Sequence, residues 1–187
     1  VAELLISRGS DVLQKKDDHD LSALDHATEW RHEALTELLT KHMRSSEQAC
    51  QAALSGDLEC LTQLLEGGVC VDTRSLVDLF EDSDADFNTE SSASRVDMTL
   101  LSIACRADQP QMVQFLLSHK ADVSLCDAGG RTALHHACAM GNISVAKLLL
   151  FRCREVLQQD CDGLSALDHA KAWGHEDVRD LLTRHIR

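Results

Sequence analysis

A short segment recurs along the chain at a fixed interval of 33 residues. It reads TLLSIA from Thr99, TALHHA from Thr132 and SALDHA from Ser165. A fixed period of this length is typical of proteins built from stacked copies of one supersecondary unit, each of which contacts only its neighbours. The period therefore predicts a solenoid of small repeated units.

The residues within each copy predict two short helices joined by a tight turn. The hydroxyl residue that opens each copy can cap the unpaired N–H groups of a helix. Ala137 and its equivalents provide a small side chain where two helices must approach closely. Gly141 and Gly174 lie between the two helical runs, where a turn requires positive φ. Pro110 falls at the start of a second helix, where proline costs least.

The copy from Asp127 to Leu150, DAGGRTALHHACAMGNISVAKLLL, resembles an ankyrin repeat. The residues that match are Gly130, Thr132, Leu134, His135, Ala137, Gly141, Val145, Leu148 and Leu149. The resemblance extends over almost the whole chain apart from one insert. It implies an all-α fold, namely an ankyrin-repeat solenoid of stacked helix-turn-helix units with short β-hairpin fingers.

The C-terminal segment from Leu164, LSALDHAKAWGHEDVRDLLTRHIR, has a near copy at residues 21–44, LSALDHATEWRHEALTELLTKHMR. An end unit of a solenoid needs a polar outer face because no neighbour covers it. We therefore expect residues 1–44 to form the closing repeats of a first ankyrin array. Residues 45–187 are then a second array of about four units.

The junction between the two predicted arrays is shorter than a normal repeat. Ala27 and Ala52 occupy equivalent positions but are 25 residues apart rather than 33, which indicates that the finger is missing. An alternative is that residues are absent between Arg44 and Ser45.

An acidic insert interrupts the second array. Ala52 and Ala104 are 52 residues apart, which is 19 more than one period, and the extra residues lie within 78–97. That segment has seven acidic residues and one basic residue, Arg95. Its alternating aspartates resemble a calcium loop, but Phe87 stands where such a loop requires glycine, and Ala93 replaces the bidentate glutamate.

We interpret the insert as a solvated loop, because insertions in repeat proteins map to loops. Two alternatives stay open. The insert could attract a basic partner, or it could be phosphorylated at Ser83, which is followed by the acidic residues Asp84 and Asp86. A phosphate would add further negative charge.

Composition and motifs exclude several classes of partner and of chemistry. The formal net charge of −13 argues against nucleic acid and anionic membranes as partners, because both need clustered positive charge. No apolar run is long enough for membrane insertion. Eight cysteines without a signal peptide indicate free thiols in an intracellular setting, the cytoplasm, with the nucleus left open. Without a zinc, P-loop or nucleophile-elbow motif, we expect no metal, no cofactor and no enzyme activity.

The histidines and cysteines of the repeats have structural interpretations. His135 matches a family position that makes hydrogen bonds to neighbouring turns. Cys105 and Cys138 are equivalent residues of successive units, where small buried side chains are expected. Cys126 and Cys161 fall near the fingers, where we expect exposure.

The resemblance also implies where a partner binds. Ankyrin arrays bind proteins on a concave surface made of finger tips and first-helix ends. The candidates carried over by position are Arg95, Arg106, Arg131, Met140, Asp162, Leu164 and Trp173. The three arginines would form a small positive stripe on an otherwise acidic protein, although ordinary solvation of these side chains is the alternative. Similarly, Trp173 could simply cover the end of the stack, because Trp30 is its equivalent in the other copy.

The sequence thus predicts a non-enzymatic adaptor or docking domain that binds a protein or peptide in the concave groove. The alternative is self-association, in which the duplicated arrays pack on each other and form a homo-oligomer.

Overall fold

The computed structural model describes residues 16–18, 21–78, 95–153 and 156–186. Within these ranges the chain forms nine helices and one two-stranded sheet. In chain order the elements are α1 (Ala23–Glu29), α2 (Glu33–Ser55), α3 (Leu58–Glu66), β1 (Arg74–Asp78), β2 (Arg95–Thr99), α4 (Leu100–Arg106), α5 (Pro110–Ser118), α6 (Ala133–Ala139), α7 (Ile143–Leu150), α8 (Ala166–Ala172) and α9 (Glu176–Ile186).

The helices form two parallel rows. In the inner row α2 packs on α4, α4 on α6, and α6 on α8, while in the outer row α5 packs on α7 and α7 on α9. Each inner helix also packs on the outer helix that follows it. This arrangement confirms the predicted all-α solenoid of stacked helix-turn-helix units.

The predicted helix starts are confirmed. The hydroxyl groups of Ser22, Thr99 and Ser165 each accept the N–H of the residue three positions later, which satisfies a donor that the helix itself cannot pair. Pro110 begins α5 as expected, since the first turn of a helix does not use its N–H. The sequence therefore starts the inner helices by local hydrogen bonding.

The core of the array is built from small and aliphatic side chains. Ala104, Ala137 and Ala170 are fully buried, as are Cys105 and Cys138, which confirms their prediction as small core residues. One continuous cluster of buried residues runs from the second half of α2 to α9. A separate small cluster, centred on two buried residues, holds α1 against the first half of α2.

A row of side-chain donors couples neighbouring units. The donors are 33 residues apart, and each binds a carbonyl near the end of the preceding inner helix. The pairs are Gln109 Nε2 with Leu54 O at 3.4 Å, Asn142 Nδ2 with Cys105 O at 2.7 Å, and His175 Nε2 with Ala139 O at 2.9 Å. These bonds supply donors to carbonyls that would otherwise lack a hydrogen-bond partner at the helix ends.

Helix α2 passes through the predicted junction of the two arrays without a break. It is 23 residues long, and the Ser45 hydroxyl donates to Lys41 O within it. Because no finger separates the two units, the outer helix of the first continues directly as the inner helix of the second. The division at residues 44 and 45 stays a prediction.

The finger that carries the acidic insert is longer than the others. Strands β1 and β2 pair antiparallel from Arg74↔Thr99 to Asp78↔Arg95, so the ends of the predicted loop at 78–97 are strands. Residues 79–94, which connect them, lie outside the described residues. The fingers before α6 and α8 have a single bridge each, Cys126↔Thr132 and Gln159↔Ser165. No helix in the described ranges is long and apolar enough to cross a bilayer.

Candidate binding groove

The sequence predicts a binding surface made of finger residues and inner-helix ends. We name this predicted surface the groove face, and define it by Arg106, Arg131, Met140, Asp162, Leu164 and Trp173. Arg106 is in the last turn of α4, while Met140 and Trp173 follow the last residues of α6 and α8. The others lie in the fingers that precede α6 and α8. These residues therefore come from three successive units of the stack.

Solvent exposure differs along the groove face. The Trp173 side chain is the largest exposed group, at 62 % exposure, whereas Met140 is half-buried. Asp162 and Leu164 are exposed on the last finger. Trp30, the equivalent of Trp173 in the other copy, is 70 % exposed. Both tryptophans are thus largely exposed to solvent.

A buried carboxylate organises the finger before α6. Asp127 Oδ1 accepts the N–H groups of Gly129 and Arg131, each at 2.9 Å. Its Oδ2 accepts Arg131 Nε at 3.1 Å and His136 Nε2 at 3.0 Å. Burial by itself would raise the pKa of Asp127, but these hydrogen bonds and charges outweigh it and lower the pKa to about 2. The carboxylate is therefore ionised and holds the finger shape.

The His136 imidazole beside it is neutral near pH 7. Burial lowers its pKa, and the opposing hydrogen bond to Asp127 does not restore the ordinary value. The charges of Arg131 and Arg106 lower the pKa of His136 further.

The pairing of aspartate with histidine recurs in other units. His169 Nε2 lies 2.7 Å from Asp160 Oδ2, and His26 Nε2 lies 2.8 Å from Asp17 Oδ2. In all three pairs the histidine follows the aspartate by nine residues. Sequence reasoning missed these pairs, and the constant spacing was the signal that could have found them.

His135 has the structural role that the sequence predicted. Its Nδ1 accepts the N–H of Thr132 at 3.1 Å, and its Nε2 donates to Gln158 O of the next finger at 3.1 Å. At the equivalent position of the last unit, Asp168 Oδ2 accepts the N–H of Ser165 at 3.2 Å. In both units the side chain at this position accepts a hydrogen bond at the start of the helix. Only His135 also donates one, to the finger before α8.

Two candidates from the acidic insert, Arg95 and Ser83, have no described side chain. Arg95 lies in β2, but its side chain is outside the described part of the chain, as is Ser83. No group of three or more potential metal ligands occurs in the described ranges. A cavity of about 210 Å³ lies between Val123 and Arg152, and none of the predicted partner residues lines it.

All eight cysteines are free thiols. Burial raises the pKa of Cys138 to about 12 and holds that of Cys105 well above its ordinary value. Cys161 is exposed as expected, and Cys126 is partly buried.

The repeat geometry agrees with comparisons against known proteins. A family model described as ankyrin repeats, in three copies, matches residues 48–160. The match begins in the second half of α2 and ends in the finger before α8. A search of curated proteins found no match. The matched range is more than half of the chain, and the chain therefore belongs to the ankyrin-repeat family.

Proposed function

We propose that this chain is a non-enzymatic adaptor or docking domain that binds a protein or peptide through the groove face. Ankyrin repeats are generally protein–protein interaction modules, and the family is typically non-enzymatic. The observation that supports the groove face in particular is the exposure of Trp173, with Arg131 held by its ion pair to Asp127 on the preceding finger. Tryptophan and arginine are the residue types that most often dominate binding energy.

The rigidity of the groove face favours binding. Trp173 and Met140 follow helices whose ends are tied to the next unit or to their own turn by hydrogen bonds. Side chains presented on such fixed backbone lose little further freedom when a partner binds. The affinity then reflects preorganisation as much as buried area.

The experiment that tests this proposal compares two exposed aromatic residues. Trp173→Ala removes the groove side chain, and Phe151→Ala removes one that is 88 % exposed at the end of the outer helix α7. Each variant, with its fold verified by circular dichroism, is used for quantitative affinity capture from lysate. Captured proteins are then measured for direct binding with purified components.

We expect Trp173→Ala to weaken direct binding at least about tenfold, as is usual for a tryptophan at the centre of an interface, and Phe151→Ala to leave it unchanged. Partners that depend on Phe151 and tolerate Trp173→Ala would place the binding surface on the outer helices and contradict the proposal.

Self-association is the second candidate, and one observation favours it. The duplicated segments expose the same residue, Trp30 or Trp173, at equivalent positions, so two copies of the chain could contact through them. Light scattering across a concentration series separates this candidate from the first. A mass that stays at the monomer value eliminates self-association, and a mass that doubles in a manner abolished by Trp30→Ala or Trp173→Ala supports it.

A further inference from the structure

The cavity of about 210 Å³ lies between two successive units and shares no lining residue with the groove face. Its walls come from the loop after α5, the start of α6 and the loop after α7. A single buried water needs about 10–15 Å³, and pockets for drug-sized ligands have about 300–1,000 Å³. The cavity therefore has room for a small organic molecule.

The uncharged polar side chains of the lining already have partners within the protein. Ser124 Oγ donates to Asp122 Oδ1 at 2.6 Å, and Thr132 Oγ1 lies 2.8 Å from His135 Nδ1. The third such group, Gln158 Nε2, donates to a thiol sulfur at 3.3 Å. These hydrogen bonds fix the polar part of the wall and leave a ligand to be recognised by other groups.

Arg152 provides the positive charge of the lining. Its side chain is exposed and makes no hydrogen bond or ion pair in the described part of the chain. No acidic residue of the described ranges lines the cavity. A planar guanidinium group can bind both oxygens of a carboxylate through two parallel N–H groups. The cavity thus offers one uncompensated positive charge of suitable geometry.

The rest of the lining is apolar. Val123 and Leu134 are aliphatic, and burial raises the pKa of the Cys153 thiol to about 11, which keeps this thiol neutral near pH 7. A neutral thiol packs like a small apolar side chain. Phosphate carries nearly two negative charges near pH 7, and one of them would lie unpaired against apolar groups. One positive charge in an apolar wall therefore favours a single carboxylate attached to an apolar body.

The loop after α7 is more apolar than its counterpart in the preceding unit. Phe151 and Leu157 stand where that unit has Ser118 and Ser124, 33 residues earlier. They are 88 % and 59 % exposed, and each is the neighbour in sequence of a residue that lines the cavity. Exposed apolar side chains of this size often belong to binding surfaces. The composition of the loop therefore also favours a ligand with an apolar body.

We propose that this cavity binds a small organic carboxylate, whose two oxygens are held by Arg152 and whose apolar body packs on Val123 and Leu134. The site is separate from the groove face, and it adds a small ligand to a domain proposed to bind proteins.

Amide chemical shifts of the isotope-labelled chain, recorded while a probe is added, test the proposal because they report the affinity and the residues involved. Benzoate carries both the carboxylate and a compact apolar body. Benzamide has the same shape without the charge, and acetate has the charge without the ring. Inorganic phosphate is the competing anion.

Three variants accompany the wild type. Arg152→Gln removes the guanidinium group and breaks no side-chain bond in the described part of the chain. Arg44→Gln is its matched control, since it removes the same charge from an exposed position of α2. Cys153→Met fills part of the cavity with a longer, flexible apolar side chain.

We expect benzoate to shift the amides of the lining residues with a Kd on the order of 1 mM, and benzamide and acetate to bind at least about tenfold more weakly. Arg152→Gln should weaken benzoate binding about fivefold and leave benzamide binding unchanged. Cys153→Met should weaken the binding of both, whereas Arg44→Gln should bind benzoate as the wild type does.

Several results would contradict the proposal. Equal affinity for benzoate and benzamide, or unchanged benzoate binding in Arg152→Gln, would show that Arg152 does not recognise a carboxylate. Phosphate that binds at the lining amides more tightly than benzoate would make this a general anion site. Benzoate that shifts no lining amide up to about 10 mM would eliminate the ligand site. The groove function would survive each of these results, because Trp173→Ala tests it separately.

Discussion

At the scale of the residue, Gly141 shows how one missing side chain serves two purposes. Its φ of 73° lies in the left-handed region, which strains any residue with a Cβ. The absent Cβ also leaves room for the next unit, because it would lie 2.5 Å from His175 Nδ1. Gly174 has a φ of 74° and, in contrast, has no neighbour within 4 Å of an added Cβ. The two glycines therefore share the same backbone conformation and differ in the space available for a Cβ.

We expect Gly174→Ala to lower the free energy of unfolding by about 1 kcal/mol, from backbone strain alone. Gly141→Ala should cost about 2–3 kcal/mol, because it also displaces His175 from its hydrogen bond to Ala139 O. Urea denaturation of both variants gives the comparison. Equal losses would show that the hydrogen bond between units contributes little.

The cysteines allow a prediction that needs no mutation. Cys161 is exposed, whereas Cys105 and Cys138 are fully buried and have raised thiol pKa values. Because the thiolate is the reactive form, iodoacetamide should label Cys161 in the native protein and reach the other two only in denaturant. Peptide mass spectrometry after timed labelling measures this order. Early labelling of Cys138 would contradict the packing of α6.

At the scale of the element, α6 and α8 use different acceptors for the N–H of the residue that precedes the helix. In α6 the acceptor is the neutral imidazole of His135, and in α8 it is the carboxylate of Asp168. Protonation would convert the His135 Nδ1 from an acceptor into a donor that faces the Thr132 N–H. Burial is the main cause of the lowered pKa of His135, and the His169 ring lowers it further.

This arrangement predicts acid sensitivity. The unfolded histidine has a pKa of about 6.5, and the folded value is lower, so the unfolded chain binds more protons below that pH. Stability is therefore complete above about pH 6.5 and falls as the pH decreases through that value.

Urea denaturation midpoints at about pH 7.5 and pH 5 test whether stability falls in acid and whether His135 causes the decrease. The decrease should be smaller in His135→Asp, because a carboxylate of ordinary pKa stays ionised over this range. It should not vanish, since the pKa of His136 is lowered as well. A control substitution at the exposed His185 should retain the full decrease. An identical decrease in wild type and His135→Asp would assign the acid sensitivity to other groups.

At the scale of the whole molecule, α2 connects two separate clusters of buried residues. Its first half packs on α1, and its second half belongs to the main core of the array. Among the described residues, α2 is the element that the two clusters share. This arrangement suits the proposal that residues 1–44 close one array and that a second begins at Ser45.

Ser45→Pro tests that division. Proline in the interior of α2 removes a hydrogen bond and collides with the Lys41 carbonyl, at a cost of about 3 kcal/mol. We expect trypsin to cleave the variant faster at Lys41, while the fragment that follows stays folded and protected. Ser45→Ala is the control and should leave the rate of cleavage unchanged. A single loss of all structure in Ser45→Pro would show that the whole chain is one cooperative unit.

The sequence by itself determined the repeated unit of this protein, the family, the helix starts and the small residues of the core. These features depend on hydrogen bonds within a few residues of each other and on a period that brings like residues to like positions. It also identified Trp173 and three arginines, Arg95, Arg106 and Arg131, as candidates by position.

Only the tertiary structure decided which groups of different units meet. The approach of Asn142 to Cys105 O, the donation of His175 to Ala139 O and the unbroken course of α2 all depend on distances between packed units. No local preference encodes such distances, since they are set when side chains of neighbouring repeats fill the space between helices.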